Sequence, residues 1–525
     1  MIRIKEFIRN CEESRIGFGL WLATALFIIL IRDSIESLVS VRSFSSVNMF
    51  HFLHVPIFFL TALLSIIILL RLFTKEDILK VSKICLVFFA IIIFPAVTDL
   101  IVSFLSKADI SYGYIDGNVK DSVINFFNPF YKIPDVPYSL RAEILIICAF
   151  VFLYIFIKTR RLLRSLLGGF LVFCLCALYG ALPGLLIGGF VKVTSFLFRA
   201  FHPYFFGKVI SGVVDEGVVV IIELVFAFFS AGLWFWLYDS GKFKAVLMDF
   251  RPSRYLVCFI LAGTGISLYL CGAGAIDVFI AVRILGLFLA LFFAVRFSAL
   301  INDIFDVEGD KLTNRSRPLV SGLILESEYF KVGLVYLAFS LLFASWVSES
   351  CFVITLIFIG VYFLYSAPPF RLKRFFIFSS LVTGIQALLI LLMGQLSLAQ
   401  PGTTILLFPP LLSLVFLVFF LSSNIKDLKD VQADMSGGIY SLPVVFGEKK
   451  ARRIIAFLVF LSYILAPVFL SGFIYSNFIA VISILFGFIN YFYIRRQNSR
   501  EQAVFLLFFL YVLLLVLILM VNGAI

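Results

Sequence analysis

The 525-residue sequence is short of charge and of histidine. Only 14% of its residues are charged and three are histidines, whereas 62% are hydrophobic and 66 are phenylalanine. So little polar surface excludes a string of soluble globular domains, in which about 25% of residues are charged. The three histidines are scattered, which argues against a histidine-centred metal site or catalytic triad. The eight cysteines follow no metal-ligand spacing, so we interpret them as small buried residues.

The sequence also lacks the alternation of polar and apolar residues that is typical of membrane β-barrels. Apolar stretches of about 17 to 25 residues recur along the whole chain, and this length crosses a bilayer as a helix. Fifteen such stretches are present. We therefore predict an all-α polytopic membrane protein with about 15 transmembrane helices.

The basic residues predict how the spans are oriented. With a cytoplasmic N-terminus, 32 of the 43 Lys and Arg residues fall in inside segments and nine fall outside. This bias predicts a multi-pass protein of the cytoplasmic membrane whose C-terminus lies outside. It also accounts for the net charge of +12 without a nucleic-acid partner. We expect membrane lipids, and no nucleic acid, as partners.

A basic segment, DSGKFKAVLMDFRPSR at residues 239–254, divides the spans into six and nine. We predict an N-terminal six-helix membrane module over residues 1–240, of unknown role, and a second domain over residues 245–525. Asp99 and Glu223 are ionisable residues within predicted spans of the first module. Such residues indicate either a second site or transport path, or a pair that is satisfied within the bundle.

Two acidic motifs stand out in the second domain. NDIFDVEGD, residues 302–310, and DLKDVQAD, residues 427–434, share the pattern DxxDxxxD, and each follows a span that ends on the predicted cytoplasmic side. On a helix these spacings place side chains on one face. Asp303, Asp306 and Asp310 can therefore converge, as can the equivalent set of Asp427, Asp430 and Asp434. A solvated loop explains one such motif more readily than a matched pair.

Like charges this close require a neutralising partner, and a divalent cation with oxygen ligands is the simplest one. Mg²⁺ takes one or two carboxylates and leaves its other positions to water and phosphates, so the pair of motifs predicts a phosphate-bearing substrate. Cations that could hold this phosphate lie at Arg317, Arg371, Lys373 and Lys426. Arg296 lies within a span, where a charge needs a partner, and we expect it to face the acidic site.

These motifs resemble a known family. The segments NDIFDVEGD, RPLVSG, YSAPPFRLKR and KDLKDVQADMSGGIYSLPVVFG occur in that order. In this order the chain resembles the UbiA-type intramembrane prenyltransferases over about residues 245–525. The resemblance implies a nine-helix bundle, preceded here by about six helices that match no family.

The resemblance also implies Mg²⁺-dependent transfer of a prenyl group from an isoprenyl diphosphate donor to a lipid or aromatic acceptor. It implies catalytic roles for Asp306, Asp310, Asp430 and Asp434. The metal ligands that it implies are these four together with Asn302, Asp303 and Asp427. The residues that we expect to bind the diphosphate are Asn302, Arg296, Arg317, Arg371, Lys373 and Lys426.

Three questions stay open at this point. The second motif most resembles the branch that includes archaeal geranylgeranylglyceryl phosphate prenylation, but aromatic acceptors remain an alternative. The same fold and motifs also serve polyprenyl-phosphate phosphoribosyl transfer, in which the diphosphate donor is a sugar. A transporter or scaffold with a degenerate enzyme half is a third possibility, although all six Asp residues of the two motifs are present.

Overall fold

The structure is a computed structural model that describes residues 2–40, 49–106, 110, 119–128, 130–133, 136–201, 216–273, 278–399, 409–471, 476–496 and 500–521. Within these residues every regular element is a helix, apart from isolated bridges such as the one between Phe375 and Tyr440. The prediction of an all-α protein is therefore confirmed.

The chain separates into two compact units, Met1–Lys244 and Ala245–Ile525. The helices of the first unit are α1 (Ile2–Glu13), α2 (Phe18–Ser40), α3 (Met49–Thr74), α4 (Ile78–Phe89), α5 (Ile93–Ser106), α6 (Val119–Ile124), α7 (Tyr138–Thr159), α8 (Leu162–Phe201) and α9 (Glu216–Tyr238). Helix α10 (Ser240–Met248) follows within the basic segment between the two sets of spans.

The second unit contains the longer remaining helices and three short ones. They are α11 (Pro252–Ala273), α12 (Val278–Phe305), α13 (Val307–Thr313), α14 (Glu326–Val347), α15 (Glu349–Ser366), α16 (Phe376–Leu396), α17 (Pro409–Ser422), α18 (Val431–Ser436), α19 (Leu442–Phe446), α20 (Glu448–Phe469), α21 (Ser476–Ile494) and α22 (Glu501–Val521). The 3₁₀ helices Leu372–Arg374 and Ser423–Leu428 precede α16 and follow α17.

Fourteen helices are long and apolar enough to cross a membrane among the described residues, six in the first unit and eight in the second. The fifteenth predicted span coincides with α22, whose apolar portion is described over Glu501–Leu515. The sequence therefore predicted the membrane-spanning architecture. The short helices α13, α18 and α19 were not predicted, because five to seven residues are too few to show a hydrophobic period.

Among its described residues the first unit encloses an apolar core with polar contacts at its edge. Val151, Tyr154 and Ile155 of α7 pack with Ile67 of α3 and Val81 of α4, all of them fully or almost fully buried. Beside this core the Tyr154 hydroxyl and the Lys158 ammonium group both donate to the Glu12 carboxylate at 2.8 Å. The amphipathic helix α1 is therefore held against α7 by a charge pair whose removal would leave a buried carboxylate unpaired.

Both ionisable residues that the sequence singled out in the first unit have partners. The Ser139 hydroxyl donates to the Asp99 carboxylate at 2.5 Å, and Nδ1 of His54 lies 2.8 Å from Oε2 of Glu223. Each contact joins two helices. The contacts agree with polar groups that are satisfied within the bundle.

Close helix packing in the second unit depends on two glycines. A Cβ atom on Gly265 of α11 would lie 2.1 Å from the Leu391 carbonyl oxygen of α16, and one on Gly394 would lie 2.1 Å from the Ala262 carbonyl oxygen. The two backbones approach so closely that neither position has room for a methyl group. Small residues allow this kind of contact between membrane helices, where apolar side chains gain nothing by leaving lipid.

We expect the variant Gly265→Ala to destabilise the protein by about 1 to 3 kcal/mol, because the added methyl group forces the two backbones apart. Gly263→Ala is the matched control on the same helix, since a Cβ there would meet nothing within 4 Å. Unfolding in mixed micelles would measure both variants. Equal stabilities would contradict the close approach of α11 and α16.

Candidate active site

The first acidic motif lies across a break between two helices. Helix α12 ends at Phe305, Asp306 has φ −110° and ψ 9°, and α13 then begins at Val307. The expectation of a single helical face is therefore wrong for this motif. The break divides the motif, so Asp303 belongs to the long helix and Asp310 to the short one.

The second motif repeats this local structure. The 3₁₀ helix ends at Leu428, Asp430 has φ −102° and ψ 14°, and α18 begins at Val431. In each motif the last Asp donates its backbone N–H to the carbonyl of the middle Asp, at 2.9 Å in the first and 2.8 Å in the second. The sequence repeat is thus also a repeat of backbone conformation.

The two short helices face each other at equivalent positions. Gly309 lies three residues after Asp306, and Ala433 lies three residues after Asp430. A Cβ on Gly309 would lie 3.8 Å from both the Cβ and the carbonyl oxygen of Ala433, which is van der Waals contact. The contact brings the two motifs together at the ends of their spans, as the sequence predicted.

Asp306 is paired with two cations from the segment YSAPPFRLKR. The Lys373 ammonium nitrogen lies 2.6 Å from each oxygen of the Asp306 carboxylate, and Nη2 of Arg371 lies 3.1 Å from Oδ1. Asn302 completes the cluster, because its amide nitrogen donates to Asp306 at 2.8 Å while its oxygen accepts from Lys373 at 3.0 Å. The Ser366 hydroxyl also donates to Asn302 at 3.1 Å.

Asp303 and Asp310 share the cation Arg317, and Asp303 has Arg251 as a second one. Arg317 donates to Asp303 at 2.8 Å and also forms a hydrogen bond with Asp310. Arg251, from the segment before α11, donates to both oxygens of Asp303 at 2.8 and 2.6 Å. Burial tends to lower the pKa of Arg251, but the carboxylate of Asp303 outweighs it and raises that pKa. With Asp303 only 2% exposed, these contacts replace the water that the carboxylate has lost.

Two predicted diphosphate ligands have other contacts in this structure. Arg296 donates to the carbonyl oxygens of Asp249 at 3.0 Å and Val246 at 2.8 Å, and its guanidinium group lies over the Tyr336 ring. Carbonyls at a helix C-terminus lack intrahelical donors and therefore accept from a buried guanidinium group. Lys426 donates to the Tyr365 hydroxyl at 2.8 Å. Diphosphate binding by Arg296 and Lys426 stays a prediction.

In the described ranges, fewer cations pair with the carboxylates of the second motif than with those of the first. Neither Asp430 nor Asp434 forms a salt bridge with any residue in the described part of the chain. Burial raises the pKa of Asp434 to about 6 and also raises that of Asp430. Burial likewise raises the pKa of Asp310 to about 6, although Arg317 opposes the shift. Added positive charge would therefore stabilise the ionised site.

A main-chain contact connects the basic segment to the chain beyond the second motif. The Tyr440 N–H donates to the Arg374 carbonyl at 2.6 Å, and the Phe376 N–H donates to the Tyr440 carbonyl at 3.3 Å. Arg371 has a φ of 41°, a conformation that is uncommon for a residue with a side chain. The contact anchors the segment that presents Arg371 and Lys373 close to both motifs.

The residues present suit a divalent cation bound together with a phosphate. The potential ligands are carboxylates and an amide oxygen, which Mg²⁺ prefers. No three acidic, cysteine or histidine residues in the described ranges are grouped closely enough to hold an ion by themselves. This fits a metal that takes part of its ligands from its substrate. Buried Arg251 Nη1 and Arg371 Nε also have no hydrogen-bond acceptor, so donors remain for phosphate oxygens.

The sequence did not single out several residues of this site. Arg251 and Asp249 lie before the first span of the second unit, and the Tyr329 hydroxyl donates to Asp249 at 3.3 Å. Asn314 donates to Asp310 at 3.0 Å. The only sequence feature that pointed to Arg251 was the basic segment that contains it, DFRPSR. Nothing in that segment indicated a contact with Asp303.

The fold and the site together define a membrane-embedded enzyme with paired acidic motifs and phosphate-binding cations. A model of the UbiA prenyltransferase family matches residues 256–518, about half of the chain. The chain belongs to the UbiA prenyltransferase family, so the protein is a membrane prenyltransferase. The first unit lies outside the matched residues.

Similar proteins each cover about half of the chain. Digeranylgeranylglyceryl phosphate synthase of Methanocaldococcus jannaschii is 28% identical over 252 residues, 45% of this chain and 83% of that protein. The synthase of the same name from Thermococcus kodakarensis is 24% identical and covers 50% of this chain and 91% of that protein. A solved structure of a UbiA homolog from Archaeoglobus fulgidus bound to GPP and Mg²⁺ is 22% identical, covers 51% of this chain and 96% of that one, and has a TM-score of 0.43.

Within the described part of the chain, Asp303 is paired with arginines and Asp430 is not. Replacing each of them by Asn should therefore affect the stability of the metal-free protein differently. Asp303→Asn should lower the free energy of unfolding by about 3 kcal/mol, because it removes the buried carboxylate that pairs with the partly buried Arg251 and Arg317. Asp430→Asn should leave stability unchanged or raise it, because it removes a partly buried carboxylate that has no salt bridge among the described residues. Unfolding in mixed micelles with EDTA would measure both. The same loss in both variants would contradict this assignment.

Proposed function

We propose that the protein transfers the prenyl group of an isoprenyl diphosphate to a phosphate-bearing glycerol lipid, in a Mg²⁺-dependent reaction at the two acidic motifs. The observation that carries this proposal is the pairing of Asp306 with Lys373 and Arg371 beside Asp430 and Asp434, which form no salt bridge among the described residues. A diphosphate can take over the cations while a divalent metal takes over the carboxylates. Neither set of charges is then left unpaired.

The residues have separate tasks in this proposal. Arg317, Arg371 and Lys373 hold the diphosphate oxygens and stabilise the charge that develops when the bond to the prenyl carbon breaks. Mg²⁺, when bound, would add a Lewis acid that further stabilises the leaving diphosphate. Asn302, Asp306, Asp310, Asp430 and Asp434 would hold the metal, with Asp303 and Asp427 in support.

Exclusion of water is the second requirement of this chemistry, because water would capture the allylic carbocation. The site lies at the ends of α12 and α17, and both helices are long apolar spans. Ring contacts such as that between Phe293 and Phe343, with centroids 5.7 Å apart, fill the interior between α12 and α14. The prenyl chain would therefore extend from the polar cluster into apolar surroundings.

The choice of acceptor rests on the similar proteins. The two archaeal relatives named above are called digeranylgeranylglyceryl phosphate synthases, and their similarity spans most of their length. A lipid acceptor also suits a site at the membrane surface, because the lipid reaches the site without leaving the bilayer. An aromatic acceptor and a sugar diphosphate donor are the alternatives that the experiments below would detect.

Diphosphate release from geranylgeranyl diphosphate by the purified full-length protein tests the site. With Mg²⁺ we expect release that EDTA abolishes and that Asp306→Asn and Asp430→Asn each reduce at least about 100-fold, as expected for groups that stabilise the leaving group. Glu308→Gln is the matched control, because it makes the same chemical change at a side chain that is 84% exposed. Full activity of either Asp variant would overturn the assignment.

Acceptor preference can be measured with the same protein. We expect geranylgeranylglyceryl phosphate to become prenylated at least about tenfold faster than hydroxybenzoate, with product formation followed by mass spectrometry. The expected difference corresponds to about 1.4 kcal/mol of preferential transition-state binding. A faster aromatic acceptor would replace the lipid in this proposal. Turnover of phosphoribosyl diphosphate with polyprenyl phosphate, but of no prenyl donor, would contradict prenyl transfer at this site.

A further inference from the structure

The first unit contains an amphiphilic groove that prenyl transfer does not use. A cavity of about 490 Å³ is lined by Leu72, Phe73, Arg161, Leu163, Arg164 and Leu167, which we call the basic groove. The first two residues lie at the end of α3, Arg161 immediately precedes α8, and the other three lie in the first two turns of α8. A volume of this size lies in the range of small-ligand sites.

The turn between α7 and α8 gives the groove its shape. Arg160 ends α7 in the left-handed conformation, with φ 56°, and α8 begins two residues later. A Cβ on Gly168 would lie 2.2 Å from Cδ1 of Ile155, so α8 packs directly on α7. The first turns of α8 then carry Leu163 and Leu167 outward, where they are 80% and 50% exposed.

The cations of the groove are not neutralised within the described residues. Arg164 donates through Nη1 to the Phe73 carbonyl at 3.3 Å, and the Arg161 side chain has no hydrogen bond or salt bridge there. The nearby acids have other partners. Glu76 pairs with Lys158 at 3.3 Å, and Asp77 accepts from the Leu79 N–H at 2.7 Å as the N-cap of α4. An anion that enters the groove would therefore meet free guanidinium donors.

We propose that the basic groove binds an anionic phospholipid of the membrane, with its phosphate between Arg161 and Arg164 and its chains along Leu72, Leu163 and Leu167. Guanidinium groups bind phosphate through two parallel hydrogen bonds, and basic pockets at the ends of membrane helices suit anionic headgroups. The exposed leucines let the lipid enter sideways from the bilayer. The proposal is independent of the acceptor and donor proposed above.

The groove suits a phospholipid better than a prenyl diphosphate. Each arginine can donate parallel N–H bonds to the phosphate oxygens of a phosphodiester, and no carboxylate lines the groove to hold the metal that accompanies a diphosphate. The acidic motifs of the second unit supply those carboxylates.

Native mass spectrometry of the full-length protein tests the proposal. The probes are dioleoylphosphatidylglycerol and dioleoylphosphatidylcholine, which share their chains and differ in headgroup charge. We expect preferential retention of phosphatidylglycerol by the wild type. The double variant Arg161→Gln and Arg164→Gln should weaken this binding about 25-fold, about fivefold for each arginine, and leave phosphatidylcholine unchanged.

Two control variants distinguish the loss of the charge of the groove from other causes of weaker lipid binding. The double variant Lys5→Gln and Lys80→Gln removes the same charge from exposed positions of the same unit and should leave phosphatidylglycerol binding unchanged. The single variant Arg161→Gln removes an exposed guanidinium group that has no hydrogen bond or salt bridge among the described residues, so it should keep the fold and weaken phosphatidylglycerol binding about fivefold. Equal retention of both lipids by the wild type, equal losses in both double variants, or stronger retention of geranylgeranyl diphosphate would each overturn the proposal.

Discussion

Compensation of buried charge is the constraint on which the second unit depends. Carboxylates at the ends of apolar spans lose water, and each must gain a cation, a hydrogen bond or a proton. The chain supplies cations from segments far apart in sequence, with Arg251 on Asp303 and Lys373 on Asp306. These ion pairs fix the positions of the basic segments. The positions of the segments in turn constrain the helices that connect them.

The two motifs differ in how their carboxylates are neutralised, and this difference bears on function. Asp303 is enclosed by two arginines, whereas Asp430 has no salt bridge among the described residues. A site whose charges were all matched internally would gain little by binding an ionic ligand. The incomplete compensation of the second motif, together with the free donors of Arg251 and Arg371, leaves the site ready for a metal and a diphosphate.

The sequence predicted the spans and the pairing of the motifs, because both depend on local pattern. Apolar length defines the spans, and the repeated DxxDxxxD defines the two halves of the site. It could not predict the break at Asp306, since nothing in the residues around it interrupts a helix. Nor could it predict the contacts of Arg296, which depend on the carbonyls of Val246 and Asp249 in a segment about fifty residues earlier. Such contacts are tertiary, and residue spacing carries no information about them.

The contact between Gly309 and Ala433 also fixes the distance between α13 and α18. One of these residues has no side chain and the other has only a methyl group, so the separation of the two short helices is determined by backbone. No rotamer change can widen or narrow it. The backbones of α13 and α18 are thus held at a set separation, and a metal-bound anion is selected by whether it reaches across the space between them. A chain of two linked phosphates and a single phosphate differ in that length, whatever the group attached to them.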